Sequence, residues 1–262
     1  MAVWVRPRGK GKGLSGGLLQ GLSFLSLLLT WLLLSWALGS QVLPRPGETL
    51  DFLLREARGS LWHHLGITLL RVGLAFLLAM TLGVALGLLT GLYRLADRLL
   101  EAWVALGLSI PRILPVVVAY LLLGLNETAA VLALVAILVP QVVVQVREGV
   151  KALDVKLLEM ARAFHRSKSL VLRRVVLPQL VPYVLGTARG TLSLAWKMVV
   201  LVELLGRTSG VGYQINFYFQ MFEMRGILAY GLAMTIVLVL VDKVLLLLSD
   251  RLSRWRRPVE GL

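Results

Sequence analysis

The residues able to do chemistry in this chain are few, and most of them interrupt apolar runs. Gly186, Arg189, Gly190, Ser193 and Lys197 recur at three- and four-residue steps, which sets them along one stripe of a helix. A charge inside a bilayer costs at least ~2.5–3.5 kcal/mol on insertion scales. Such residues therefore face a partner helix, a water-filled path or an interface. Lys197 has two positions open to it. It lines a path and favours an anionic or carboxylate-bearing solute, or it snorkels to the outer interface. Arg189 is near enough to the cytoplasmic end of its run to snorkel there. Glu203 is six residues further on and about 240° around the helix, so it is not a simple partner for Lys197. Gln141 and Gln145 lie in another apolar run, where amides bond along a path or between helices.

This inventory suits moving a polar solute better than making or breaking bonds. The chain has no cysteine, which removes disulfides, thiolate metal sites and cysteine nucleophiles. His63 and His64 are adjacent, point in different directions on a helix and make a poor metal pair. His165 stands alone. Gly9-Lys10-Gly11-Lys12-Gly13 lacks the order of a phosphate loop, and no buried strand precedes it. No Ser-His-acid set, metal cluster or carboxylate pair stands out. The chain is expected to be no enzyme and to bind no metal or cofactor itself.

The elements that position these residues follow from composition. Of 262 residues 58% are hydrophobic and 16% charged, against about 45–50% and 25% for soluble domains. Six segments approach the ~20 apolar residues of a spanning helix: Leu18–Gly39, Gly66–Tyr93, Ala102–Leu123, Thr128–Val146, Leu180–Leu205 and Gly226–Leu248. Pro111 and Pro115 predict a kink in the third, and Pro140 one in the fourth. The fold expected is an all-α polytopic membrane protein with six transmembrane helices.

The net charge of +14 invites a nucleic-acid reading. The basic residues, however, cluster at the ends of apolar blocks, and no aromatic residues interleave with them as a stacking platform would require. Nucleic acid is not an expected partner. With both termini in the cytoplasm, the inner segments hold four basic residues before span one, two after span two, eight between Arg147 and Arg174, and four after span six. The outer segments hold Arg45, Arg55, Arg58, Arg207 and Arg225. Eighteen against five sets the orientation. The first apolar stretch, at about 22 residues, exceeds the 7–15 of a signal peptide's core and predicts a retained helix.

Two connections are long enough to act. The outer one, Gly206–Arg225, combines glycines at 206, 210 and 212 with Tyr213, Phe217, Tyr218, Phe219 and Phe222. It reads as an external gate, as a contact for a substrate-delivering protein, or as an aromatic belt. The inner one, about 147–179, predicts a helix over 152–163 and, after a short break, a second one that Pro178 ends or kinks. Unaided, two short basic helices would lie on anionic lipid.

The order of residues in that inner connection says more. Glu159, Met160, Ala161, Arg162, then His165 and Arg166, then Val175-Val176-Leu177-Pro178 resemble the EAA loop of binding-protein-dependent ABC importers. Met160 replaces the usual first alanine of that loop, and His165 stands where its glycine is usual. A glycine between helices supplies positive φ or close approach, so His165 implies a reshaped turn. Leu43-Pro44-Arg45-Pro46, Thr68-Leu69-Leu70-Arg71-Val72, and Glu203-Leu204-Leu205-Gly206 with Gly210-Val211-Gly212-Tyr213 are similar to the sulfonate, taurine, nitrate and bicarbonate branch of those permeases.

The resemblance covers about residues 43–250 and implies a type-1 ABC permease in the prokaryotic plasma (inner) membrane. It implies four sections: a basic tail over 1–17, a first helix with external segment over 18–60, a permease core over 61–250 and a basic tail over 251–262. Glu159, Met160, Ala161, Arg162, His165 and Arg166 would couple to a separate ABC ATPase subunit, which carries the ATP and Mg. Ser193, Lys197, Glu203, Gly210, Gly212, Tyr213, Gln141 and Gln145 are the candidates for a substrate pathway or gate. The expected partners are that ATPase, an external substrate-binding protein, a second permease copy and lipid. The expected cargo is a small anionic solute, sulfonate-, nitrate- or bicarbonate-like. A heterocyclic vitamin precursor is the alternative cargo. An ion-coupled secondary transporter would instead need inverted repeats and intramembrane carboxylates, for which Asp242 and Glu203 are weak candidates. A channel or scaffold would need no coupling loop.

Overall fold

A computed structural model describes residues 16–165 and 167–252, all of whose regular elements are helical. The first, α1 (Gly16–Leu38), exposes its apolar side chains on nearly every face, as a lipid-facing helix does. It is fastened at its outer end, where Trp31 Nε1 donates to the Pro44 carbonyl at 3.0 Å and Ser35 Oγ to the Leu43 carbonyl at 2.7 Å. Next comes α2 (Pro46–Glu56), an amphipathic helix with proline at its start and Thr49 and Leu53 buried. It packs against the last helix, and Tyr230 donates to Glu56 at 2.8 Å.

The centre is α3 (Leu61–Leu92) against α6 (Glu127–Lys151). Gly83, Gly87 and Gly91 meet Val142, Val146 and Val150 in turn. A Cβ at these glycines would lie 2.5, 2.7 and 2.6 Å from those valines. Ala75 and Ala79 continue the same four-residue row with no exposure. Small residues in such a row let two backbones approach where lipid offers no hydrophobic drive.

The expected third span is two helices, α4 (Arg94–Ser109) and α5 (Ile113–Leu123), bent by 100°. Gly107 lies against the ring of Pro140, and Arg147 bonds Asp97 at 2.8 Å, so α4 lines the inner half of α6. At the other end Tyr120 of α5 donates to the Val202 carbonyl at 2.9 Å.

The inner connection holds α7 (Val155–Ala163) and α8 (Lys168–Val171). The break between them is at His165, with φ 49°. No second break follows. A π-turn over Leu172–Val176, in which Leu177 donates to the Leu172 carbonyl, runs α8 into α9 (Leu177–Gly206). Pro178 therefore sits in the first turn of a long helix rather than ending a short one, where its missing N–H costs nothing. The outer connection is also helical: α10 (Val211–Gln220) precedes α11 (Met224–Leu252).

By length and apolarity, α1, α3, α6 and α11 can cross a membrane, and the α4–α5 pair adds a fifth crossing if it is one span. The 30-residue α9 is long enough but carries Arg189, Lys197 and Glu203. The main core joins α2, α3, α5, α6, α9, α10 and α11. A smaller one, Val150, Leu153, Val176 and Leu180, lies beneath the α7–α8 connection.

Candidate functional site

Three sets of side chains stand out, at the end of the bundle expected to face outward, along α9, and in the α7–α8 connection at the opposite end. The outer set is built on Glu203, which has no exposure. Arg71 Nη1 donates to its Oε1 at 2.7 Å, Thr68 Oγ1 lies 2.9 and 3.0 Å from its two oxygens, and the Gly212 amide donates to Oε2 at 2.8 Å. Arg71 forks onto Glu127 with two 2.7 Å bonds and also donates to the Ser209 carbonyl at 2.7 Å and hydroxyl at 2.9 Å. Asn126 caps α6 by accepting the Ala129 amide at 2.8 Å, which fixes Glu127 in the first turn. Arg207 bonds both Glu127 and the Leu125 carbonyl. Two acids and two guanidinium groups form a quartet in which Arg71 and Glu203 are buried and Glu127 is exposed, and pairing makes the buried charges tolerable.

The glycines at 210 and 212 exist for this set. Gly210 has φ +108°, and a Cβ on either glycine would collide with Glu203. The Gly210 amide donates to His64 Nδ1 at 3.1 Å and the Val211 amide to Thr68 Oγ1 at 2.9 Å. With Nδ1 accepting the Gly210 amide, the other ring nitrogen, Nε2, lies 2.6 Å from Gln214 Nε2. Tyr213 is half-buried beside the His64 ring, with centroids 6.0 Å apart. Further out, burial and then Glu56 push the Tyr218 phenol up to about 12. Hydrogen bonding from Arg225 holds the Glu223 carboxyl below its ordinary value.

Along α9, Arg189 and Ser193 line a cavity of about 610 Å³ closed by Leu238, Asp242 and Lys243 of α11. Arg189 pairs with Asp242 at 3.0 Å. Lys197 is exposed beside a second cavity of about 300 Å³, with Trp196, Val200, Ile215 and Thr235. Leu238 borders both cavities, which lie along the furrow between α9 and α11. Among the described residues Lys197 has no acidic partner within 4 Å. Gln141 and Gln145 are half-buried on α6. Gln145 opens to a different cavity, of about 410 Å³, with Tyr183 and Gly186.

At the inner end Glu159 is exposed, Met160 is 50% and Phe164 67% exposed, and Ala161 is only 6% exposed. One face of α7 is thus seated while apolar side chains point away from the chain. Arg166 lies outside the described residues, as does the side chain of Arg162.

The structure therefore splits the expected pathway set. Ser193 and Lys197 share the furrow. Glu203, expected on a path or gate, is enclosed with Arg71, because its place on α9 turns it toward α3. Gly210 and Gly212 cradle it. Residues weighed only as a family match or a failed metal pair, Thr68, Arg71 and His64, prove central, and Glu127, Arg207 and Ser209 were not singled out. One signal was present: Arg71 is a charge within an apolar run, and it demands a buried partner as surely as Arg189 does.

The family profile described as binding-protein-dependent transport system inner membrane component matches residues 79–258. A protein of Bacillus subtilis (strain 168) named aliphatic sulfonates transport permease protein SsuC is 30% identical over 222 residues, 84% of this chain and 80% of that one. The taurine transport system permease protein TauC of Escherichia coli (strain K12) is 28% identical, covering 90% and 89%. The bicarbonate transport system permease protein CmpB of Synechococcus elongatus is 27% identical, covering 80% and 81%. Among solved structures, a chain of an amino acid ABC transporter crystallised with histidines superposes with TM-score 0.62 at 19% identity, covering 76% of this chain and 96% of that one. A chain of the inward-facing MetNI methionine ABC transporter gives 0.58 at 21%, covering 80% and 98%. These two share the fold.

Proposed function

Because the chain belongs to the binding-protein-dependent transport system inner membrane component family, we propose that it is the permease of an ATP-driven importer of a small anionic solute. Its exposed inner helix α7 takes force from a separate ATPase, and an external binding protein delivers the solute. A second copy of the chain completes the path, in a prokaryotic inner membrane with both termini in the cytoplasm. The four sections expected from the sequence, with the core over 61–250, stand as part of this proposal.

The observation that carries the reading is the split character of α7. Ala161 is buried, while Met160 on this short helix and Phe164 just past its end are half or more exposed, with basic residues bordering them in sequence. A helix face left apolar in water marks a contact to be filled. Glu159, Arg162, His165 and Arg166 would flank that contact.

The anionic preference rests on charge along the furrow. Asp242 pairs with Arg189, whereas Lys197 has no acidic partner among the described residues and lies beside the second cavity. Gln141, Gln145 and Tyr213 would add hydrogen bonds at the borders of the path. Glu203 and Asp242, the acids an ion-coupled carrier would use, are both engaged by arginines, which favours the ATP-driven reading.

Uptake in vesicles is expected to require an added ATPase subunit and to stop with vanadate. Lys197→Met is expected to weaken uptake of sulfonates, nitrate or bicarbonate relative to neutral solutes. Vanadate-insensitive uptake defeats the importer reading, and an unaltered substrate preference defeats the anionic one.

A further inference from the structure

The coupling connection links the end of α6 to the start of α9. The opposite ends of those same helices meet again in the ionic quartet, because Glu127 opens α6 while Glu203 and Arg207 close α9. Arg71 of α3 holds Glu127 and Glu203 at once. The result is a closed frame. Two long helices pack along their length, joined by the chain at one end and by four charges at the other.

Helix α10 hangs on that frame. Its N-cap is Gly210, which has no side chain to take up the free amides of a helix start. Three consecutive amides are instead captured by other helices: Gly210 by His64, Val211 by Thr68 and Gly212 by Glu203. Arg71 grips Ser209 just before them, at both its carbonyl and its hydroxyl. All of these anchors lie on α3 or α9.

We infer that Arg71, Glu203, Thr68 and His64 are positioning residues that make α10 a rigid extension of the α3–α6–α9 frame. Displacement of the coupling connection then reaches the outer surface as movement of α10 with the frame, not as the swing of an independent lid. The source of that displacement rests on the importer reading. Swinging α10 away would strip Glu203 of its amide and break charge-assisted bonds in a buried interior, where each is costly to lose. Moving the frame as a body breaks none of them.

The absence of cysteine allows clean spin labelling. Phe219→Cys on α10 and Leu70→Cys on α3 both replace exposed side chains. Doubly labelled protomers, diluted with unlabelled ones in the complete nanodisc complex, report the α3–α10 distance without nucleotide and after vanadate trapping. The distance distribution is expected to be the same in both states. In Glu203→Gln and Thr68→Val it is expected to broaden and to shift on trapping. Uptake per ATP hydrolysed is expected to fall roughly tenfold as buried bonds are lost, with partial recovery in Glu203→Asp. A wild-type distance that changes on trapping, in a vanadate-sensitive transporter, overturns the inference alone, as does normal uptake per ATP in both variants. Vanadate-insensitive uptake overturns the importer reading and the inference with it.

Discussion

Arg189 Nη2 lies 3.0 Å from both carboxylate oxygens of Asp242, joining α9 to α11 beside the cavity that also holds Ser193. Both side chains are more than a third exposed, so the pair adds about 0–1 kcal/mol to stability. Its effect lies in the charge that it cancels. Asp242→Asn is expected to leave thermal unfolding in detergent within about 4 °C of wild type. It is also expected to make uptake more sensitive to competing anions, because Arg189 would then hold a free oxyanion site on the furrow. Inhibition curves with chloride and methanesulfonate in vesicles read this directly; curves identical to wild type remove it.

His165 closes α7 with φ 49°, a left-handed conformation that costs a non-glycine residue about 1–2 kcal/mol. His165→Gly is expected to raise the melting temperature by a few degrees. His165→Val is expected to lower it, since a branched Cβ tolerates that region least. Differential scanning fluorimetry of the purified chain separates the two, and equal melting temperatures would show that the turn stores no strain.

A Cβ at Gly87 would meet the Val146 side chain and the Val143 carbonyl. Gly87→Leu forces α3 from α6 and is expected to cost about 1–3 kcal/mol, the usual range for overpacking. Val146→Ala in the same chain should return part of that loss. Urea or heat denaturation of the two single variants and the double variant gives the coupling energy, and a double variant that simply sums its parents would contradict the packing.

Met160 on α7 and Phe164 just past its end project without covering one another's exposure. Met160→Asp with Phe164→Asp is expected to leave the melting temperature unchanged and to reduce copurification of the ATPase at least tenfold, as the loss of an interface anchor worth about 2 kcal/mol does. Retained copurification would place the ATPase elsewhere.

Hydrophobic blocks, charge placement and the Glu159–Pro178 spacing made the helical membrane fold, the inner connection and its likeness to the importer permeases legible. The break in the third span was underestimated as a kink, because two prolines announce a bend but not its angle. Helix α10 is not legible in the glycines and aromatics of 206–225, since its capping groups belong to α3 and α9, more than a hundred residues away for His64 and Thr68. Helical spacing makes Glu203 a candidate for a pathway or gate, since it gives the angle on α9 and not the identity of the facing helix. Only tertiary structure pairs it with Arg71.

The 100° corner between α4 and α5 has a consequence for solvation. Pro111 offers no amide, so the Gly107 carbonyl loses its helical donor. Gly107 lies against Pro140, about 20 Å along α6 from Glu127 at 1.5 Å per residue. Hydrocarbon cannot satisfy a bare carbonyl. Within a bilayer, that carbonyl needs water or a polar group beside it at this corner.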